Sequence, residues 1–81
     1  MIRLRLWIPA VQKQFECTFP LSVSFNDCIP YLNRLLEPEF DGWYVIPEDA
    51  WFIEPHSGIR ISSSVTISHQ NLEDGMCLFV C

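Results

Sequence analysis

The stretch Ile2-Arg3-Leu4-Arg5-Leu6-Trp7-Ile8 places an aliphatic side chain at every second position. A period of two is typical of a strand that buries one face and leaves the other open. We therefore predict that the aliphatic side chains face a core. Arg3, Arg5 and Trp7 then lie together on the opposite face of the sheet.

The alternation stops at residues 9–13 and resumes with Phe15, Cys17, Phe19 and Leu21. A proline followed by a short break between two such patterns is typical of a tight connection. The first two strands are therefore predicted to form a hairpin.

From Phe25 the apolar period becomes that of an amphipathic helix. The apolar stripe consists of Phe25, Cys28, Ile29, Leu32, Leu35 and Leu36. Proline fits best in the first helical turn, so Pro30 favours Asn26 or Asp27 as the N-cap, although Ser24 and Asp27 also have the spacing of a capping box. We expect about three turns that pack through Ile29, Leu32 and Leu36.

Pro38 predicts that the helix ends at Glu37, because a residue that precedes proline is driven away from helical backbone angles. Residues 38–50 then form an irregular insertion that mixes carboxylates with aromatic side chains, among them Trp43 and Tyr44. Two interpretations are open. The insertion folds back over the core of a small domain, or its Trp and Tyr side chains bind a partner, since both are enriched at interface hot spots.

The remaining residues predict short elements. Residues 51–54 and 59–61 are expected to form a second hairpin around a turn at 55–58, and residues 66–69 one tight helical turn. Residues 76–80 are the last predicted strand, in which Cys77 and Phe79 face away from Met76, Leu78 and Val80.

Length and composition limit the function. With 81 residues, of which 49% are hydrophobic, we expect a single domain spanning 1–81. The net charge of -5 argues against nucleic acid as a partner, because phosphate contacts need Lys or Arg. No run reaches the roughly 18–20 apolar residues of a membrane span, and no signal peptide precedes the first strand, so we expect a complete cytoplasmic chain without membrane insertion.

Catalytic and metal-binding patterns are lacking. The cysteines are Cys17, Cys28, Cys77 and Cys81. No two have the C-x2-C spacing of zinc or redox sites, so we expect reduced thiols and no cofactor. His56 and His69 both lie beside serines in predicted turns, without a phosphate loop or nucleophile elbow. We therefore expect that the protein is not an enzyme.

A hairpin, a crossing helix, a second hairpin and a last strand returning beside the first is the β-grasp arrangement. The predicted class is α+β, a β-grasp roll whose mixed sheet of four or five strands is crossed by one helix. Over nearly its whole length the sequence resembles the ubiquitin-like superfamily. The resemblance is carried by residues 2–6, 15–19, the helix to Leu36, residues 51–53, Ser64-Val65-Thr66-Ile67-Ser68 and residues 72–80.

Within that superfamily the sequence is most similar to the YukD-like proteins, the small ubiquitin-like component of type VII (WXG100, ESX-like) secretion systems in Gram-positive bacteria. The similarity lies in the length, in Pro30, in Ala50-Trp51-Phe52 and in the serine-rich approach to Thr66-Ile67-Ser68 and Asp74-Gly75. The insertion between Glu37 and Ala50 departs from the family pattern.

The resemblance implies a protein–protein interaction module that serves as an accessory or regulatory part of such a secretion system. The sequence ends Phe79-Val80-Cys81 without the Gly-Gly of conjugated ubiquitins, so we expect a non-conjugated protein. A larger secretion component is the expected partner, and a homodimer stays open. The alternative is a small β-grasp accessory subunit of a multicomponent enzyme.

We expect partner-binding residues on the open sheet face, at Arg3, Arg5 and Trp7, and in the insertion, at Trp43 and Tyr44. The first three would form a locally basic patch on an acidic protein. An equally weighted interpretation is that Trp7 only covers the sheet, with an arginine stacked on its ring.

Overall fold

The computed structural model describes residues 1–81 as a five-stranded mixed sheet crossed by one helix. The strands are β1 (Ile2–Ile8), β2 (Lys13–Phe19), β3 (Phe52–Ile53), β4 (Arg60–Ile61) and β5 (Cys77–Val80). The helix α1 spans Phe25–Phe40, and a short 3-10 helix spans Ile67–His69. The strand order is β2-β1-β5-β3-β4, which confirms the predicted α+β arrangement.

The first and last strands lie side by side at the centre of the sheet. β1 and β2 form an antiparallel hairpin, whereas β1 and β5 run parallel with Arg5 opposite Cys77 and Trp7 opposite Phe79. The Arg5 amide donates a hydrogen bond of 2.9 Å to the carbonyl of Met76. The prediction that the first and last strands are adjacent and parallel is therefore confirmed.

Helix α1 packs its apolar face on the sheet. The Phe25 ring stacks on Phe52 with centroids 4.5 Å apart, and Ile29, Leu32 and Leu36 are buried as predicted. Leu35 was wrongly placed in the buried stripe, since 52% of it is exposed. It lies at the margin of the stripe, beside the buried Leu36.

The helix begins earlier than the proline argument predicted. Ser24 is the N-cap, because its side chain accepts from the Asp27 amide while the Asp27 carboxylate accepts from the Ser24 amide. The prediction of Asn26 or Asp27 was wrong. Burial of Phe25 against Phe52 fixes the start, and Pro30 lies on the exposed side, where water can satisfy the carbonyl that loses its partner.

The helix also ends later, at Phe40 rather than Glu37. Pro38 lies within the last turn and is exposed, while burial of Phe40 holds that turn against the sheet. The chain leaves the helix through left-handed backbone angles at Asp41 and Gly42, with φ of 49° and 75°. At 16 residues α1 has more than the three turns predicted.

The segment that follows α1 is tied to the helix by one side chain. The Asn33 amide nitrogen donates to the carbonyl of Ile46 at 3.0 Å, and the Ile46 amide donates to Asn33 Oδ1 at 2.7 Å. Ile46 and Ala50 are buried. Residues 41–50 therefore fold back over the core, which is one of the two interpretations left open by the sequence. No helix in the structure combines the length and the apolar character needed to cross a membrane.

We expect Leu32→Ala to lower the free energy of unfolding by about 2–5 kcal/mol, because it leaves a cavity under the helix. The matched change Leu35→Ala, on the exposed margin of the same helix, should cost about 0.5 kcal/mol or less. Urea denaturation followed by circular dichroism measures both. Equal losses of stability in the two variants would contradict the observed orientation of α1, which buries Leu32 and exposes Leu35.

We expect Asn33→Ala to cost about 1–3 kcal/mol, because the buried Ile46 peptide groups lose both partners. The exposed neighbour Arg34 provides the control, as Arg34→Ala leaves these bonds intact. Native-state hydrogen exchange should show faster exchange of the Ile46 amide in Asn33→Ala only. Unchanged exchange would mean that Asn33 does not hold the segment.

Candidate functional site

The open face of the sheet carries a continuous row of side chains. Strand pairing places Trp7 of β1 beside Phe79 of β5, Phe79 beside Ile53 of β3, and Ile53 beside Arg60 of β4. Their sequence neighbours are mostly buried on the helix side, so these side chains point the other way. Trp7, Phe79 and Ile53 are each only partly buried. The row is therefore an apolar strip that is open to a partner.

Trp51 adds a second indole to this strip. Its amide and carbonyl both bond to Cys81, at 2.9 and 2.8 Å, which continues the β3–β5 pairing by one position. The guanidinium carbon of Arg60 lies 4.1 Å from the centre of the Trp51 ring, a cation–π contact worth about 0.5–1 kcal/mol at an exposed site. We call Trp7, Trp51, Ile53, Arg60 and Phe79 the sheet-face patch. The cation–π contact thus joins Arg60 to Trp51, two residues outside the expected group of Arg3, Arg5 and Trp7.

Arg3 lies on the same face, but carboxylates surround it. Arg3 Nε is 3.8 Å from Glu16, and Arg3 Nη2 is 3.7 Å from Asp74. The Arg3 amide also donates to Asp74 at 2.7 Å. The expectation of a locally basic surface at Arg3 and Arg5 is therefore corrected, because the charge of Arg3 is offset by its two acidic neighbours.

Arg5 borders a shallow depression of about 370 Å³ on the open face, near Arg3 and Asp74. Three carboxylates, Glu54, Glu73 and Asp74, line it together with His56. The open face thus has an acidic end around Arg5 and an aromatic end at the sheet-face patch. Nowhere in the chain do three or more His, Cys, Asp or Glu side chains come together as a metal site.

Glu54 organises the turn at the rim of this depression. Its carboxylate accepts from the Ser57 hydroxyl at 2.5 Å and from the amides of His56 and Ser57 at 2.9 and 2.7 Å. These hydrogen bonds, that of the Ser57 hydroxyl first, lower the pKa of Glu54. The ionised form is therefore favoured in the folded turn. The ionised Glu54 therefore contributes to the stability of the folded protein. The contribution is fully present above the ordinary pKa of Glu54 and is lost as the pH falls through the lowered pKa.

We expect Ser57→Ala to raise the pKa of Glu54 towards its ordinary value, because the main hydrogen bond to the carboxylate is removed. An NMR titration of the Glu54 Cδ resonance measures the change. Ser22→Ala, at an exposed serine distant in sequence from the turn, is the control. A Glu54 titration that is the same in both variants would contradict the hydrogen-bond assignment.

Trp43 and Tyr44 belong to a different surface, at the C-terminal end of α1. Their rings meet Phe40 edge to face at 5.7 and 5.8 Å, and Phe40 meets Phe15 of β2 at 5.9 Å. We call Phe15, Phe40, Trp43 and Tyr44 the aromatic cluster. Trp43 is 69% exposed, whereas Tyr44 is half-buried. Burial, and to a lesser degree negative charge at Cys81, raises the pKa of the Tyr44 hydroxyl.

The structure therefore separates the predicted site residues into two groups. Arg3, Arg5 and Trp7 lie on the open face, and Trp43 and Tyr44 lie on the helix side with Phe40. Sequence reasoning did not include Ile53, Arg60 or Phe79 in the site. The signal for Phe79 was present, because its predicted orientation and the parallel pairing of the terminal strands together place it beside Trp7.

All four cysteines are unpaired. Cys28 is buried, Cys17 and Cys77 are partly buried, and Cys81 is exposed. Burial, with a smaller effect of the Glu16 charge, raises the pKa of the Cys17 thiol. The Cys17 side chain therefore stays uncharged at neutral pH and acts as apolar surface beside α1.

No known family profile and no curated protein matches this chain. In structure it is similar to 155 solved chains. One belongs to the crystal structure of ATBAG1 in complex with HSP70, with a TM-score of 0.65 and 17% sequence identity over 100% of this chain. This chain spans 40% of the length of that solved chain. The likeness and the sheet order together define the fold as a ubiquitin-like β-grasp.

Proposed function

We propose that this protein is a ubiquitin-like module that binds another protein noncovalently through the sheet-face patch, and that it has no catalytic role and no cofactor. The observation that carries the proposal is the open row of Trp7, Phe79 and Ile53, extended by Trp51 with Arg60 on its ring. Aromatic side chains and arginine are the residues most enriched at binding hot spots. An apolar strip rimmed by polar groups is typical of an interaction surface.

The charge distribution orients the expected partner. Arg60 lies at the aromatic end of the face, and the carboxylates of Glu54, Glu73 and Asp74 lie at the other end. A partner that presents an apolar centre with an acidic group near Arg60 and a basic group near the carboxylates complements both ends. The ATBAG1 chain with the same fold was solved in complex with a protein, HSP70, which supports a protein partner in general terms.

A more specific proposal rests on the sequence resemblance to the YukD-like proteins. On that basis, the partner is a larger component of a bacterial type VII secretion system. The residues that support it are Pro30, Ala50-Trp51-Phe52 and Asp74-Gly75. Of these, Trp51 lies in the sheet-face patch, so the resemblance and the proposed surface share a residue.

We expect Trp7→Ala combined with Arg5→Glu to weaken partner binding by about 2 kcal/mol or more, because the Trp7 indole is a large aromatic side chain of the open apolar row. Trp43→Ala is the matched control, since it removes an exposed indole on the other surface. The partner is first captured from native host extract with the unchanged protein and identified by mass spectrometry. It is then purified and titrated calorimetrically with each variant.

Two outcomes would contradict the proposal. If Trp43→Ala abolishes binding and the open-face variant does not, the aromatic cluster is the site. If the captured partner is a catalytic subunit that depends on this protein for turnover, the secretion assignment is wrong and the accessory-subunit alternative is correct. Thermal unfolding of both variants within a few degrees of the unchanged protein shows that neither result reflects misfolding.

A further inference from the structure

The open sheet face carries a cation and an anion that have no partner within the chain. The guanidinium of Arg60 lies over the Trp51 ring and forms no salt bridge. The carboxylate of Glu73, on the acidic depression, is exposed and forms no salt bridge either. The depression's other carboxylates are engaged, since Asp74 forms a salt bridge and Glu54 accepts hydrogen bonds. Arg60 and Glu73 are therefore free to pair with another molecule.

Phe79 lies at a similar distance from both ends of the face. Arg60 of β4 is two strands away from Phe79 of β5 in the same row, about 10 Å at the usual strand spacing. Residues 75–77, which line the depression, precede Phe79 by two to four positions, about 7–13 Å along the strand direction. One direction crosses the strands and the other follows them. A two-fold axis through Phe79 that bisects these directions therefore exchanges Arg60 with the depression.

From this geometry we infer that a second copy of this chain binds the sheet-face patch, in a face-to-face dimer whose two-fold axis passes through Phe79. The two Phe79 rings meet at the axis, and Arg60 of each copy lies against Glu73 of the other. This inference rests on the proposed function, because it names an occupant of the same surface. An interface formed by the same patch on both copies is the commonest kind in homodimers.

The packing geometry of the dimer is one that sheets adopt. An axis that bisects the strand direction and its perpendicular makes the strands of the two copies cross at about 90°, which is the orthogonal arrangement of face-to-face sheets. The same rotation carries Trp51 of one copy towards Arg5 of the other, since each lies about one strand and two residues from Phe79. A second cation–π contact of the kind seen between Arg60 and Trp51 is then available.

The net charge of -5 does not oppose this contact, because most of it lies elsewhere. Three of the five basic residues are on the open face, namely Arg3, Arg5 and Arg60. Six of the ten acidic residues belong to α1 or to residues 41–50, which fold back over the core: Asp27, Glu37, Glu39, Asp41, Glu48 and Asp49. The open face is therefore close to neutral. Repulsion between the more distant carboxylates is screened beyond about 8 Å at physiological salt.

The dimer covers the apolar strip of the free protein. Trp7, Phe79 and Ile53 are otherwise open to water. A different protein that binds this strip must displace the second copy, so the two occupants compete for one surface.

Sedimentation velocity of the whole protein, from about 10 μM to 1 mM, measures the dimer. A reducing agent is present, because a disulfide between exposed Cys81 thiols would also join two chains. We expect a dimer that dissociates on dilution. Arg60→Glu and Glu73→Arg should each raise the dimer Kd by about tenfold or more, since each variant places like charges together at both contacts. Arg34→Glu is the matched control on the exposed side of α1 and should leave the Kd unchanged.

Equimolar mixing of Arg60→Glu with Glu73→Arg tests the pairing itself. Each variant alone opposes like charges, but in the mixed dimer both contacts again join opposite charges. Mixing should therefore restore association to within about threefold of the unchanged protein. Misfolding of either variant cannot produce this recovery.

The inference is overturned if the unchanged protein is monomeric at about 1 mM, if mixing fails to restore the dimer, or if Arg34→Glu weakens the dimer as much as Arg60→Glu does. A monomeric protein whose captured partner is lost with Trp7→Ala and Arg5→Glu would overturn this inference and leave the proposed function standing. A dimer restored by mixing supports the inference even where no other partner is captured.

Discussion

The parallel pairing of β1 with β5 is the constraint on which the rest of the molecule depends. Parallel neighbours cannot be joined by a tight turn, so the chain between them must cross over one face of the sheet. Here that connection contains α1 and the short β3–β4 hairpin. The Gly75 amide donates to the Arg3 carbonyl and fixes the register in which Trp7 meets Phe79. A slip of β5 by one residue would turn Phe79 towards the core and leave Trp7 without its aromatic neighbour.

That register also separates the surfaces chemically. The loop that enters β5 brings Glu73 and Asp74 beside the start of β1, where they offset Arg3 and surround Arg5. Further along the same strands the side chains are aromatic, and Arg60 is the cation there. One sheet face therefore combines a polar, acidic end with an apolar end. This division is a property of strand order and is invisible in the net charge of the whole chain.

The first strands were predictable because a half-buried strand has an apolar period of two. The residues around Trp7 show that period without interruption. The ends of the helix were not predictable from the sequence. The positions of Pro30 and Pro38 favoured a shorter helix, but burial of Phe25 and Phe40 extends it at both ends. The Arg60–Trp51 contact was also out of reach. It depends on β3 and β4, two residues each, which are too short to show any period.

The two prolines of α1 make the helix depend on the sheet. Proline in a helix interior costs about 3 kcal/mol relative to alanine, so residues 25–40 are a poor helix former in isolation. Burial of Phe25, Leu32 and Phe40 against the rest of the molecule offsets this cost. The helical content of the protein is therefore tied to the packing of α1 on the sheet.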